Sequence, residues 1–84
     1  MHGMKHYMEV LRELREDNDL TQQAIAQVLI TSQTMYARYE RRANELPIRH
    51  LITLCKYYNV SADAVLGIGL NKSKNKKTPK TFRF

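Results

Sequence analysis

Residues 22 to 40 read QQAIAQVLITSQTMYARYE, and the fold turns on how this stretch divides. Its first part, Gln22 to Leu29, puts Ile25, Val28 and Leu29 on one helical face with small Ala26 between them, the i, i+3, i+4 spacing of a helix half sunk in a core. Ile30 and Thr31 break that period. Ser32 then offers an N-cap oxygen to the orphan amides of a second helix, which runs from Gln33 with Tyr36 and Tyr39 facing inward. Two short helices joined this tightly must cross steeply. The second presents Gln33, Thr34, Ala37 and Arg38 to solvent near its N-terminal end, and these include side chains able to bond base edges in a major groove.

Working outward, Tyr7, Val10, Leu11 and Leu14 recur at helical spacing between His6 and Asp17, with Glu9, Arg12, Glu13 and Glu16 on the other side. Asn18-Asp19 supplies turn chemistry, Leu20 returns to the core, and Thr21 can cap the helix that follows. After a loop from Arg41, Pro47 stands at the head of a fourth helix whose apolar set is Ile48, Leu51, Ile52, Leu54, Cys55 and Tyr58. Ser61 caps a short fifth helix through Leu66, and Gly67 stands where a left-handed C-terminal residue is wanted. The prediction is an all-α domain of five helices over residues 6–70, followed by a flexible basic tail, residues 71–84, whose NKSKNKKTPKTFRF composition cannot bury a core.

Read as LTQQAIAQVLITSQTMYARYE, residues 20–40 resemble the helix-turn-helix of the phage-repressor and Cro-like (XRE) transcriptional regulators. The resemblance extends through LRELRED at 11–17 and LPIRHLITLCKYYNVSADAVLG at 46–67, and so covers roughly residues 6–67. It implies a repressor-like fold in which helices two and three bind double-stranded operator DNA as a homodimer. The family usually has glycine where Asp19, Ile30 and Arg42 stand. Asp tolerates a left-handed backbone fairly well and β-branched Ile does not, so the turn at Ile30 is where the geometry is expected to depart first.

The site residues follow. The resemblance makes Gln33 a base-contacting residue, and its amide can pair bidentately with adenine. Thr34 and Arg38 share its outward side, and Ala37 is small enough to let the backbone approach; Arg38 can pair with guanine or neutralise a phosphate. Met35 either meets a thymine methyl or fills the rim of the core. Gln22, just after the cap of helix two, is placed by the resemblance on a phosphate, in keeping with the free amides and dipole at a helix N-terminus. Ser32, Arg41, Arg42 and Asn44 are the other candidate backbone contacts, against the plain reading of Arg41, Arg42 and Asn44 as a solvated loop. Val65, Leu66, Ile68 and Leu70 crowd apolar side chains at the end of the domain and are the candidate dimer interface. Arg15 and Glu40 each follow a core residue and carry opposite signs; the resemblance pairs them in a structural ion pair.

Other classes find little support. The histidines His2, His6 and His50 are scattered, no cluster has metal-ligand spacing, no Gly-rich phosphate loop appears, and neither a cofactor nor catalysis is expected. Cys55, on an apolar face, reads as a small buried hydrophobe. With no h-region and no apolar run of about eighteen residues, the chain reads as cytoplasmic and not membrane-bound. Repression of transcription is the expected role; the alternative is a protein-interaction module such as an antitoxin whose basic tail wraps a cognate toxin.

The net charge of +6 is unevenly placed: residues 1–70 hold eight Lys plus Arg against eight Asp plus Glu, so the excess lies on Lys72, Lys74, Lys76, Lys77, Lys80 and Arg83. If these six cations touch phosphates, each adds about 0.9 to the slope of log affinity against log salt. Deletion after Leu70 should flatten that slope in a salt titration, and an unchanged slope would reduce the tail to a solvated appendage.

Overall fold

The computed structural model describes residues 5–67, which form α1 (Tyr7–Asp17), α2 (Gln22–Leu29), α3 (Gln33–Glu40), α4 (Ile48–Tyr58) and α5 (Ala62–Leu66). The described residues are all-α, without a strand. Ile68, Leu70 and the tail 71–84 lie outside them.

Side chains of the residues ahead of four helices start them. Thr21, Ser32 and Ser61 accept hydrogen bonds from the amides of Ala24, Met35 and Ala64, which satisfies one of the free donors in each first turn. His6 does the same for α1, its Nδ1 accepting from the Met8 amide at 3.1 Å. Pro47 heads α4 with its φ near −62° and no side-chain bond.

The helix ends repeat one device. The amides of Leu20, Thr31, Ala43 and Val60 each reach back five residues, to the carbonyls of Arg15, Ala26, Arg38 and Cys55, at 2.9 to 3.0 Å. This closure requires a left-handed residue just before each of them. Those residues are Asp19, Ile30, Arg42 and Asn59, with φ between 57° and 65°. The turn at Ile30 is therefore fully left-handed (φ 58°, ψ 52°) despite the β-branch, and the expected departure there does not occur. The reason is energetic: the strain of one left-handed residue, about 1–2 kcal/mol, is smaller than the cost of leaving buried helix-terminal carbonyls unpaired while α2 and α3 fail to pack.

The core takes one fully buried large side chain from each helix: Leu11, Ile25, Tyr36, Leu54 and Val65. Met8, Ala26, Leu29, Tyr39, Leu46, Leu51 and Cys55 surround them, and Met35 packs against their rim. Three sequence assignments are corrected. Val65 is only 1% exposed and locks α5 to the domain, so it has no surface to offer a second copy. Ile48 and Ile52 belong to the outer side of α4, at 67% and 47% exposure, because Leu51, Leu54 and Cys55 take the inner face. Val28 is only partly buried, while Ala26 is enclosed.

Ile30 is 91% exposed, so its side chain gives the fold almost nothing in return for the strained backbone. Ile30→Gly should raise the unfolding free energy by about 1 kcal/mol. Urea denaturation with an unchanged m-value measures it, and a loss of stability would show that the left-handed turn is not strained.

Candidate nucleic-acid interface

The edge formed by the N-terminal ends of α2 and α3 is held from beneath by a buried ion pair. Arg15, in the last turn of α1, donates through Nε to Glu40 Oε2 at 2.7 Å and through Nη2 to Oε1 at 3.1 Å. Its Nη1 donates to the Leu20 carbonyl at 2.8 Å. The two side chains are 12% and 5% exposed. Burial pushes the Glu40 carboxyl up, but the bonds from Arg15 and Gln22, the neighbouring Tyr36 hydroxyl and the Arg15 charge outweigh it and hold the group below the ordinary carboxylate range. Hydrogen bonding to Glu40 likewise raises Arg15, against the effect of burial.

Tyr36 lies beside Glu40, but among the described residues neither its hydroxyl nor that of Tyr58 has a partner in full hydrogen-bond geometry. Burial raises both phenols, Tyr58 to about 12, so they are neutral at any physiological pH.

Gln22 connects this pair to the surface. Its Nε2 donates to Glu40 Oε1 at 3.0 Å, and its Oε1 accepts from Gln33 Nε2 at 2.8 Å. Both ends of the amide are thus occupied within the chain. That revises the sequence reading of Gln22: a phosphate would meet its backbone amide or its one remaining N–H, at the N-terminus of α2, more readily than a free side chain. Gln33 keeps its oxygen and one N–H.

Thr34 and Arg38 are exposed beside Gln33, and Ala37 is half-buried between them. Arg38 Nε donates to Asn44 Oδ1 at 2.8 Å, which ties the loop after α3 to the helix and leaves the outer guanidinium nitrogens of Arg38 available. Ser32 Oγ is occupied as acceptor by the Met35 amide, while its hydroxyl proton remains a donor. Arg41 is exposed and makes no side-chain bond among the described residues. Arg42 leans toward Glu9 at 3.5 Å, with both side chains more than 40% exposed, a weak surface pair. Gln33, Thr34, Ala37 and Arg38 thus share one face of α3, with Gln22 at its N-terminal margin and Asn44 at its C-terminal one. Leu66, half-buried, lies on α5 and not on this edge.

Sequence reasoning missed His50. It is 8% exposed, its ring meeting Tyr39 edge-on at 5.9 Å between centroids, and burial together with Arg49 pushes its pKa down. Its signal was available: it stands one residue before core Leu51, opposite exposed Ile48 and Ile52. Among the described residues no group of three or more His, Cys, Asp or Glu could hold a metal ion, and no helix is long and apolar enough to cross a membrane.

Comparison with known proteins gives the family. The sequence model of a family described as helix-turn-helix matches residues 11–65, and the chain belongs to that family, in its XRE-type branch. A protein of Bacillus subtilis strain 168 named as an uncharacterized HTH-type transcriptional regulator, YobD, is 32% identical over 62 residues, which make up 74% of this chain and 55% of that protein. The chain thus spans about half the length of the curated relative it matches. No solved structure matches it at a significant level.

The ion pair should behave as a unit. Removing one partner by Glu40→Gln or Arg15→Met should cost about 3–5 kcal/mol, because the other charge is left buried, and the double variant should lose less than the sum. The Glu40 carboxyl is lowered in the folded state, so its contribution is fully present above the unfolded value near 4.5 and disappears as pH falls through the lower folded value. Urea titrations between neutral and acidic pH should show Glu40→Gln losing that part of the acid dependence; additive single losses and an unaltered pH profile would mean that the pair does not couple.

Proposed function

We propose that this chain is a DNA-binding transcriptional regulator that reads a double-stranded operator as a homodimer and represses by occluding the promoter. The observation that carries the reading is the exposed edge of α3, where Gln33, Thr34 and Arg38 stand together on a helix whose other side is locked by Tyr36, Tyr39 and the Arg15–Glu40 pair. A helix so fixed can enter the major groove without losing its own packing. Gln33, Thr34, Ala37 and Arg38 then meet base edges. The amides at the N-termini of α2 and α3, the Ser32 hydroxyl, and Arg41, Arg42 and Asn44 meet the flanking phosphates.

Two-fold symmetry would place half-sites about one turn, roughly 10 base pairs, apart. With Val65 committed to the core, Leu66, Ile68 and Leu70 are the residues proposed to contact the second copy. The relative's printed name, a transcriptional regulator, supports the same role for the part of its length that this chain spans.

Selection of bound fragments from random DNA by the full chain tests the proposal. A palindromic consensus, with a dimer on sedimentation of the complex, is the expected result. Copurification of a stoichiometric protein with no DNA selected would favour the toxin-binding alternative. Gln33→Ala should cost about 1–3 kcal/mol on the selected operator and little on random DNA in quantitative mobility shifts. Equal losses on both would remove Gln33 from base reading.

A further inference from the structure

The charges of residues 5–67 balance, but they are sorted along the chain. Five of the eight carboxylates, Glu9, Glu13, Glu16, Asp17 and Asp19, fall within residues 9–19, whereas Arg38, Arg41, Arg42, Arg49 and Lys56 fall within residues 38–56. On α1 the acidic positions are spaced i, i+4, i+7 and i+8, so Glu9, Glu13, Glu16 and Asp17 line the outer side of the helix, opposite buried Met8 and Leu11. Asp19 stands exposed in the turn beyond. Lys5 closes on Glu13 at 2.7 Å, but Arg42 stands 3.5 Å from Glu9 and Arg12 3.9 Å from Glu16, and all of these side chains are exposed by 40% or more. Arg15 also comes within 3.8 Å of Glu16, although its charge is committed to Glu40. Asp17 and Asp19 have no ion pair among the described residues. The outer face of α1 thus keeps an excess of negative charge at its C-terminal end, where the aligned helix carbonyls add to it.

The opposite charge is at hand in the chain itself. α5 packs against α1, and the chain leaves α5 at Gly67. Lys72 is five residues further on, a span of at most about 18 Å when extended. α1, with eleven residues, is itself only about 16 Å long. The six cations of residues 72–83 are therefore tethered within reach of the acidic stripe, at an effective concentration on the order of millimolar. A single exposed pair contributes little, but several pairs made at once by one tethered segment share a single ordering cost.

We propose that the outer face of α1 is a docking surface for the chain's own basic segment, residues 72–83, and that this contact restrains the protein from DNA of arbitrary sequence. The same cations cannot lie on carboxylates and on phosphates at once, so binding DNA releases them from α1. Duplex DNA, with one charge per about 1.7 Å, is the denser polyanion and displaces the segment wherever the domain is also seated by its own contacts. On arbitrary sequence the segment alone gains from the exchange, and the carboxylates oppose it. The docking stands without DNA; its consequence rests on the DNA-binding role proposed above.

A nitroxide on Lys80→Cys reads the contact in the full chain, with buried Cys55 replaced by Ala so that one thiol reacts. At low ionic strength the backbone amide resonances of residues 9–19 should broaden far more than those of residues 33–41. Added salt should abolish the difference, and so should the variant Glu16→Gln/Asp17→Asn/Asp19→Asn. The tether alone carries the label past α5, so the dependence on the three carboxylates decides. Broadening that this variant leaves unchanged, or that is greatest on residues 33–41, would overturn the docking. Mixing spin-labelled copies with separate isotope-labelled ones should give no broadening; its appearance there would assign the segment to a second copy and overturn a contact within one chain. On random DNA, mobility shifts should show the three-carboxylate variant gaining affinity. That gain should be about 5-fold or more larger with the native segment than in a full chain whose six cations are replaced by Gln. Equal gains would overturn the restraint on DNA binding. If no variant binds DNA while the broadening still follows the carboxylates, the DNA-binding role has failed and the docking contact stands.

Discussion

The orientation of α3 depends on one buried contact between charges, Arg15 with Glu40. Taking two ions out of water costs several kcal/mol each after relaxation, and only good geometry with every remaining donor matched offsets it. Here the guanidinium fork is used on three sides, two bonds to the carboxylate and one to the Leu20 carbonyl. The contact joins the last turn of α1, the turn entering α2 and the last residue of α3. An apolar pair of equal volume could stabilise the same contact as well or better, but it would slide; the bidentate pair admits one arrangement. In a domain whose proposed working surface is a helix of eight residues, that loss of freedom is what the interaction would contribute.

Around this fixed point the chain closes four of its helices with left-handed residues that are not glycine. The closures are backbone bonds, so the side chain at each position is free to vary wherever the strain is outweighed by packing. Asn59 and Asp19 carry little strain, since short polar side chains tolerate this region. Ile30 and Arg42 carry more. The core that bears this strain is small, and it is centred on five side chains, one from each helix, that are enclosed almost completely.

How much of this was legible in the sequence follows from the range of the forces involved. The N-caps at Thr21, Ser32 and Ser61 and the left-handed Gly67 are local, and local residue types specify them. On α2 and α3 the spacing of Ile25 with Leu29 and of Tyr36 with Tyr39 was enough to read the inward face, although Val28 falls at its edge. On α4, Ile48, Leu51, Ile52, Leu54, Cys55 and Tyr58 form one continuous apolar face, and only the position of its neighbours decides that Leu51, Leu54 and Cys55 go in while Ile48 and Ile52, at one edge of that face, stay out. Val65 was assigned to a surface because a helix of five residues gives no period to read. The Gln22 amide depends on a carboxylate eighteen residues away, and its partner there cannot be inferred from residue type.

The charge distribution sets how the proposed regulator would divide affinity from specificity. Residues 5–67 carry eight basic and eight acidic side chains and so have no net charge, and any attraction for a polyanion depends on how those charges are placed. Of the domain's arginines, Arg15 is sealed against Glu40 and Arg42 leans on Glu9, which leaves Arg38 and Arg41 as the arginines of the α3 edge without a carboxylate partner among the described residues. Phosphates would then be met largely by neutral donors: the first-turn amides of α2 and α3, whose aligned dipoles attract an anion without displacing many counterions. Such contacts are short in range and exacting in geometry. In the proposed reading they would add little on DNA of arbitrary sequence, where the helix is not seated, and most on the site where Gln33 and Arg38 would find their bases. A neutral domain with an accurately held helix would, on the proposed reading, gain its discrimination by binding the wrong sequence poorly, and charge outside the reading residues would add long-range attraction to DNA.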